Sequence, residues 1–145
     1  MRHIVFIIAY ICFLIMDFRR KEINVWALTI YAIAALVTIA YTRNEISFNG
    51  LVDMIYSLAF GLAIYLLSYY SGEGIGLADG MYFVINGFLL TLKENILLFL
   101  SGIMVAFVIG IFTFYVKKNY QKKDMRMPFM PCFLPAIIGY IICTV

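Results

Sequence analysis

Six long apolar stretches, separated by short polar segments, make up most of this chain. They lie at about residues 1–17, 24–41, 51–70, 74–92, 96–116 and 129–145. A bilayer offers no water to backbone N–H and C=O groups, so a segment that crosses it must satisfy them internally, as an α-helix does. The chain is 65% hydrophobic and only 13% charged, whereas about a quarter of the residues of a soluble domain are charged. We therefore expect an all-α integral membrane protein of about six transmembrane helices, formed by a single domain over residues 1–145.

The basic residues predict the orientation of these helices. If the N-terminus lies outside, the loops after the first and fifth helices are cytoplasmic. Those two loops hold eight of the eleven basic residues: Arg19, Arg20, Lys21, Lys117, Lys118, Lys122, Lys123 and Arg126. Cytoplasmic loops are enriched in Lys and Arg, so the sequence favours an N-out, C-out, multi-pass protein of the cytoplasmic (inner) cell membrane. The net charge of +3 reflects this topology, and we expect the lipid bilayer, not nucleic acid, as its surroundings.

Two of the apolar runs are too short to cross a bilayer without including an aspartate. Residues 4–16 and 81–92 would form helices roughly 20 Å and 18 Å long at 1.5 Å per residue. A hydrocarbon core of about 30 Å requires about 20 residues, so the first helix must reach or pass Asp17 and the fourth must begin near Gly74 or Gly76. Asp17 and Asp79 are then drawn toward the same cytoplasmic interface, where ionisable groups suggest a functional site.

Each aspartate also has a purely structural explanation. Asp79 could be the N-cap of the helix that follows it, accepting backbone N–H groups. Asp17 could belong to a solvated ion cluster with the basic residues 19–21. Both aspartates are expected at the same face of the membrane, and this makes a functional site the better hypothesis.

Other kinds of catalytic site are easier to exclude. The only histidine, His3, lies at the opposite face in this topology, so a Ser–His or Cys–His pair cannot easily form. The three cysteines, Cys12, Cys132 and Cys143, lie in apolar runs without a C-x-x-C pair and are interpreted as packing residues. We find no metal-binding or cofactor motif and expect neither group. Two close carboxylates remain, of which one can act as a base on water while the other donates a proton to a carbonyl oxygen.

At these residues the sequence resembles the type IV prepilin peptidase family, the membrane aspartic proteases with a G-x-G-D motif. Three segments match in order: residues 17–23 (DFRRKEI), 74–79 (GIGLAD) and 127–131 (MPFMP). Ala78 stands at the second glycine of the motif, and residues 23–25 (INV) stand where the family usually has Ile-Pro-Asn. The resemblance extends over essentially the whole chain.

The resemblance implies catalytic roles for Asp17 and Asp79, beside a motif backbone of Gly74, Gly76 and Ala78, without a cofactor or metal. The implied substrate is a pilin-like precursor of a type IV pilus or secretion system. Its short basic leader would be removed at the cytoplasmic face. Because the cysteine-containing N-terminal region of larger members is lacking, we expect a peptidase without methyltransferase activity. A non-catalytic scaffold or assembly factor, and a small proton-coupled transporter that uses both aspartates, remain as alternatives.

Overall fold

The computed structural model describes residues 2–20, 24–42, 47–71, 76–116 and 130–144. These residues form six α-helices and one short 3-10 segment, with no strand among them. The helices are α1 (Arg2–Arg20), α2 (Val25–Thr42), α3 (Phe48–Ser71), α4 (Leu77–Leu89), α5 (Leu92–Val116) and α6 (Leu134–Thr144), and the 3-10 segment Met130–Phe133 directly precedes α6. The all-α prediction is confirmed for this part of the chain.

Three of the helices are long and apolar enough to cross a membrane: Val25–Thr42, Phe48–Ser71 and Leu92–Phe112. Helix α1 is 19 residues long but carries charged residues at both ends, and α4 and the segment around α6 are shorter apolar helices. In a bilayer, where no water is available, an α-helix satisfies its backbone polar groups through its own hydrogen bonds. The three long helices therefore indicate a multi-pass membrane protein.

The helices pack as an antiparallel bundle. At one end of the bundle, the start of α1 contacts the ends of α2 and α6: Arg2 Nε donates to the Thr42 hydroxyl over 3.4 Å, and a hydrogen bond joins His3 to the Tyr140 hydroxyl. At the other end, the last turns of α1 meet the 3-10 segment before α6. The end of α1 and the start of α6 are thereby brought to the same face, where the start of α4 also lies.

Glycines allow α3 and α4 to approach until their backbones touch. A Cβ atom at Gly80 would lie 2.9 Å from the Cα atom of Tyr65, and one at Gly87 would lie 2.8 Å from the Cα atom of Leu58. In lipid, helices associate through such small-residue contacts because apolar side chains gain little by leaving a hydrocarbon solvent. These contacts hold α4, with Asp79 in its first turn, firmly against α3.

Buried polar side chains link α4 to two further helices. Asn95 of α5 donates to the Ser57 hydroxyl over 3.2 Å and to the carbonyl oxygen of Phe83 over 3.3 Å. Tyr31 of α2 donates to the side-chain oxygen of Asn86 over 2.7 Å. Hydrogen bonds of this kind are directional, so they define the rotation of α4 about its axis as well as its depth in the bundle.

We expect Gly87→Ala to lower the free energy of unfolding by about 1–3 kcal/mol, the usual cost of overpacking, because the new methyl group meets backbone atoms of α3 that cannot turn away. Gly110→Ala is the matched control, since a Cβ atom there would have no neighbour within 4 Å. It should keep or raise stability, because alanine favours a helix over glycine by about 1 kcal/mol. Thermal unfolding of both variants in the same detergent measures the difference, and equal stability would contradict the close contact.

Candidate active site

Asp17 completes a buried stripe on α1. Phe6, Tyr10, Phe13 and Asp17 follow one another at helical spacing, and each is at most 5% exposed. The neighbouring Phe18 is 74% exposed, so α1 directs Asp17 into the bundle. The side chain is therefore buried rather than solvated, which argues against a simple surface ion cluster at the end of this helix.

The backbone at the start of the 3-10 segment binds the Asp17 carboxylate. The N–H of Met130 donates to Asp17 Oδ2 over 2.9 Å. The carbonyl oxygen of Met130 in turn accepts a hydrogen bond of 3.0 Å from the hydroxyl of Tyr10, which lies two turns before Asp17 on α1. The backbone of Met130 is thus bonded to α1 on both sides, and it supplies a donor that a buried carboxylate requires.

Asp79 lies in the first turn of α4, but it is not the N-cap. The N-cap is Gly76, so the N-cap interpretation of Asp79 is wrong: Leu77 and Ala78 are already helical and place the aspartate three residues inside the helix. Its carboxylate folds back over the cap, since a Cβ atom at Gly76 would lie only 2.9 Å from Asp79 Oδ2. Gly76 therefore leaves the space that the carboxylate occupies.

The structure brings the side chains of Asp17, Asp79 and Cys132 into one cluster. Asp17 and Asp79 interact electrostatically, and the Cys132 thiol interacts with both of them. When two carboxylates interact in this way, one can hold a proton while the other stays charged. The cluster can therefore, in chemical terms, act as an acid and a base together.

The other predicted motif residues lie beside this cluster or outside the described residues. Ala78 is the second residue of α4, half-buried and packed against the apolar core. Gly76 directly precedes the helix. Gly74 lies outside the described residues, as do residues 127–129 of the third matching segment.

His3 lies far from the two aspartates. It is 14 residues before Asp17 on the same helix, roughly 21 Å away at 1.5 Å per residue, and it is hydrogen-bonded to Tyr140. In the described part of the chain, no group of three or more His, Cys, Asp or Glu side chains could hold a metal ion. The described residues thus offer carboxylates and one thiol at this face, and no histidine.

Two residues at or beside the cluster, Cys132 and Tyr10, were not identified from the sequence. Cys132 was interpreted as packing, and nothing in its apolar surroundings distinguishes it from Cys12. Tyr10 was not singled out, although its position seven residues before Asp17 places both on one face of a helix. That spacing is a signal that could have identified Tyr10 as a neighbour of the site.

The fold and the cluster together define a class of protein: a multi-pass helical membrane protein with two interacting acidic side chains at one end of its bundle. The sequence profile of the type IV leader peptidase family matches residues 4–111, a range that includes Asp17 and Asp79. The chain belongs to the type IV leader peptidase family and is thereby a protease, which confirms the resemblance to the prepilin peptidases. The match ends before residues 127–131. Searches of curated proteins and of solved structures gave no significant match.

We expect Gly76→Ala to lower the rate of peptide cleavage by about 10-fold or more, since displacing a catalytic group by about 1 Å can cost on the order of 100-fold. The carboxylate of Asp79 can rotate away from the new methyl group, so stability should hardly change. Gly139→Ala, with no atom within 4 Å of the added Cβ, is the control and should cleave normally. Cleavage rates at matched membrane expression measure both, and an unaffected Gly76→Ala variant would show that the active enzyme holds Asp79 elsewhere.

Proposed function

We propose that this protein is a membrane aspartic endopeptidase that removes the short basic leader of pilin-like precursors, with Asp17 and Asp79 as its catalytic pair. The observation that supports the proposal is the electrostatic interaction between these two carboxylates of α1 and α4, both inside the range that matches the leader peptidase family. Gly76 and Ala78, with Gly74 before them, are proposed as the motif backbone beside the pair. The proposal requires no cofactor and no metal.

In the proposed reaction, one carboxylate accepts a proton from a water molecule as that water attacks the carbonyl carbon of the scissile peptide bond. The other, protonated carboxyl group donates to the carbonyl oxygen, which gains negative charge in the transition state. The tetrahedral intermediate then collapses, the C–N bond breaks, and the leaving amine takes a proton from the pair. Both carboxyl groups are needed, because each step requires a proton donor and a proton acceptor at the same carbon.

The proposed site lies below the lipid headgroups at the cytoplasmic face. Helix α4 has 13 residues, or about 20 Å at 1.5 Å per residue, against a hydrocarbon core of about 30 Å. If α4 crosses the membrane, its first turn with Asp79 lies within a local depression of the cytoplasmic surface. Water and an extended segment of the precursor can reach such a depression, while the apolar helix of the precursor remains in the bilayer.

The distribution of charge supports the proposed orientation. Asp17 lies near the end of α1 beside the basic residues 19–21 of the sequence, and α5 ends at Val116, directly before the basic residues 117–126 of the sequence. The positive-inside bias then favours an N-out, C-out protein of the cytoplasmic (inner) membrane. We propose that all six helices cross it and that residues 1–145 form a single peptidase domain.

We expect Asp17→Asn and Asp79→Asn each to lower cleavage of a prepilin-like substrate by about 10²–10⁴-fold, the range that general acid or base catalysis contributes. The substrate is a synthetic precursor with a basic leader, a glycine and an apolar helix, and the new N-terminus is identified by mass spectrometry. Asp53→Asn is the matched control. Asp53 is also an aspartate on a membrane helix, but its Oδ2 accepts a hydrogen bond from the N–H of Leu92, at the other end of the bundle.

Asp53→Asn should cleave the precursor at the rate of the parent. Full cleavage by Asp17→Asn or Asp79→Asn would remove that residue from the catalytic pair. If the folded parent cleaves no prepilin-like precursor, a scaffold or a transporter becomes the better interpretation. Proton-driven uptake that both aspartate variants abolish would then identify the transporter.

A further inference from the structure

The 3-10 segment Met130–Phe133, which we call the bridging segment, is buried in the bundle. Met130 and Phe133 are 0% exposed and Cys132 is 4% exposed. On one side the bridging segment is attached to α1, through the hydrogen bonds from the Met130 N–H to Asp17 and from the Tyr10 hydroxyl to the Met130 carbonyl. The position of Met130 therefore depends on Tyr10, although Tyr10 makes no hydrogen bond to Asp17 itself.

On its other side the bridging segment reaches α4 and α5 through the ring of Phe133. The ring lies directly over Gly102, where an added Cβ atom would collide with ring carbons. It also meets the ring of Phe83 edge-on, with the centroids 5.5 Å apart. Phe83 lies one turn after Asp79 on α4, so the bridging segment touches both of the helices that carry the aspartates.

We propose that Tyr10 and Gly102 are positioning residues for the catalytic pair and that both act through the bridging segment; the inference rests on the proposed function of Asp17 and Asp79. Tyr10 holds the Met130 carbonyl, and this determines where the Met130 N–H meets the carboxylate. Gly102 leaves room for the ring of Phe133, and this determines how deep the bridging segment lies between α1 and α4. Neither residue contacts the reacting atoms.

The physical basis of the proposal is the precision that catalysis demands. A hydrogen bond orients Asp17 only as well as its donor is held, and the Met130 carbonyl oxygen is held by the Tyr10 hydroxyl of α1. Loss of that hydroxyl leaves the fold intact but lets the backbone of Met130 shift. Misplacement of a catalytic group by about 1 Å can lower the rate by about 100-fold. A smaller shift should therefore still lower kcat measurably.

The test compares two pairs of matched variants. Tyr10→Phe removes the hydroxyl that binds Met130, whereas Tyr140→Phe removes a hydroxyl that joins α1 to α6 at the other end, by its hydrogen bond to His3. Gly102→Ala intrudes on the Phe133 ring, whereas Gly110→Ala changes the same helix where no atom lies within 4 Å. For each variant kcat and KM are measured with the prepilin-like substrate, together with thermal stability and hydrogen exchange of the Met130 amide.

We expect Tyr10→Phe and Gly102→Ala to lower kcat by about 10-fold while KM stays within about twofold, the pattern of a lost transition-state interaction. In Tyr10→Phe the Met130 amide should also exchange faster. Tyr140→Phe and Gly110→Ala should keep both kinetic parameters within about twofold. If Gly102→Ala does not fold, the Tyr10→Phe and Tyr140→Phe pair alone decides the test.

An unchanged kcat in Tyr10→Phe overturns the inference, as does a rise in KM without a fall in kcat. Equal losses in Tyr10→Phe and Tyr140→Phe also overturn it, because they would reflect general packing of α1 against α6. The proposed function fails in a different way. If the proposed function is wrong, Asp17→Asn or Asp79→Asn keeps full activity. If only the positioning inference is wrong, those two variants are inactive and Tyr10→Phe has normal activity.

Discussion

The hydrogen bond from the Met130 N–H to the Asp17 carboxylate is the contact on which the arrangement of the site depends. Asp17 is 5% exposed, and a carboxylate with so little access to water must find its donors in the protein. Met130 follows Asp17 by 113 residues, so the bond joins the first helix of the bundle to the segment that opens the last one. Asp17 also interacts electrostatically with Asp79, which lies in the first turn of α4.

Small residues determine how closely the other helices of the bundle can pack around that hydrogen bond. Gly80 and Gly87 bring the backbone of α3 against α4, and Gly102 admits the Phe133 ring of the bridging segment. Gly76 leaves the space that the Asp79 carboxylate fills. In lipid there is little hydrophobic gain in packing apolar helices together, so these close contacts, with the buried hydrogen bonds of Asn95, position the site.

The general architecture could be predicted from the sequence because it follows from helix length and from the bilayer. Helices long enough to cross the bilayer had to reach or pass Asp17 and to begin near Gly74 or Gly76; α1 ends at Arg20 and α4 begins at Leu77. Among the described residues, three helices have the length and composition of a membrane span. Asp17 and its basic neighbours make α1 more charged than a typical membrane span. Such departures from the local sequence pattern are expected at functional sites.

The contacts that hold the site could not be predicted, because they depend on the rotation of each helix about its axis. Nothing in the residues around Met130 marks its N–H as the donor to Asp17. Gly102 is one of ten glycines, and its role depends on where the ring of Phe133 falls. The N-cap interpretation of Asp79 failed because α4 begins at Leu77, four residues before the apolar run that starts at Met81.

The proposed pairing of Asp17 of α1 with Asp79 of α4 at one end of the bundle can be measured by intramolecular cross-linking. In a background with Cys12, Cys132 and Cys143 replaced by alanine, Asp17→Cys and Asp79→Cys are combined, oxidised in membranes and analysed by mass spectrometry of the joined peptides. We expect an efficient link within one chain, and none when Asp53→Cys replaces Asp17→Cys, since Asp53 lies beside Leu92 at the other end of the bundle. A link from residue 79 to residue 53 but none to residue 17 would contradict it.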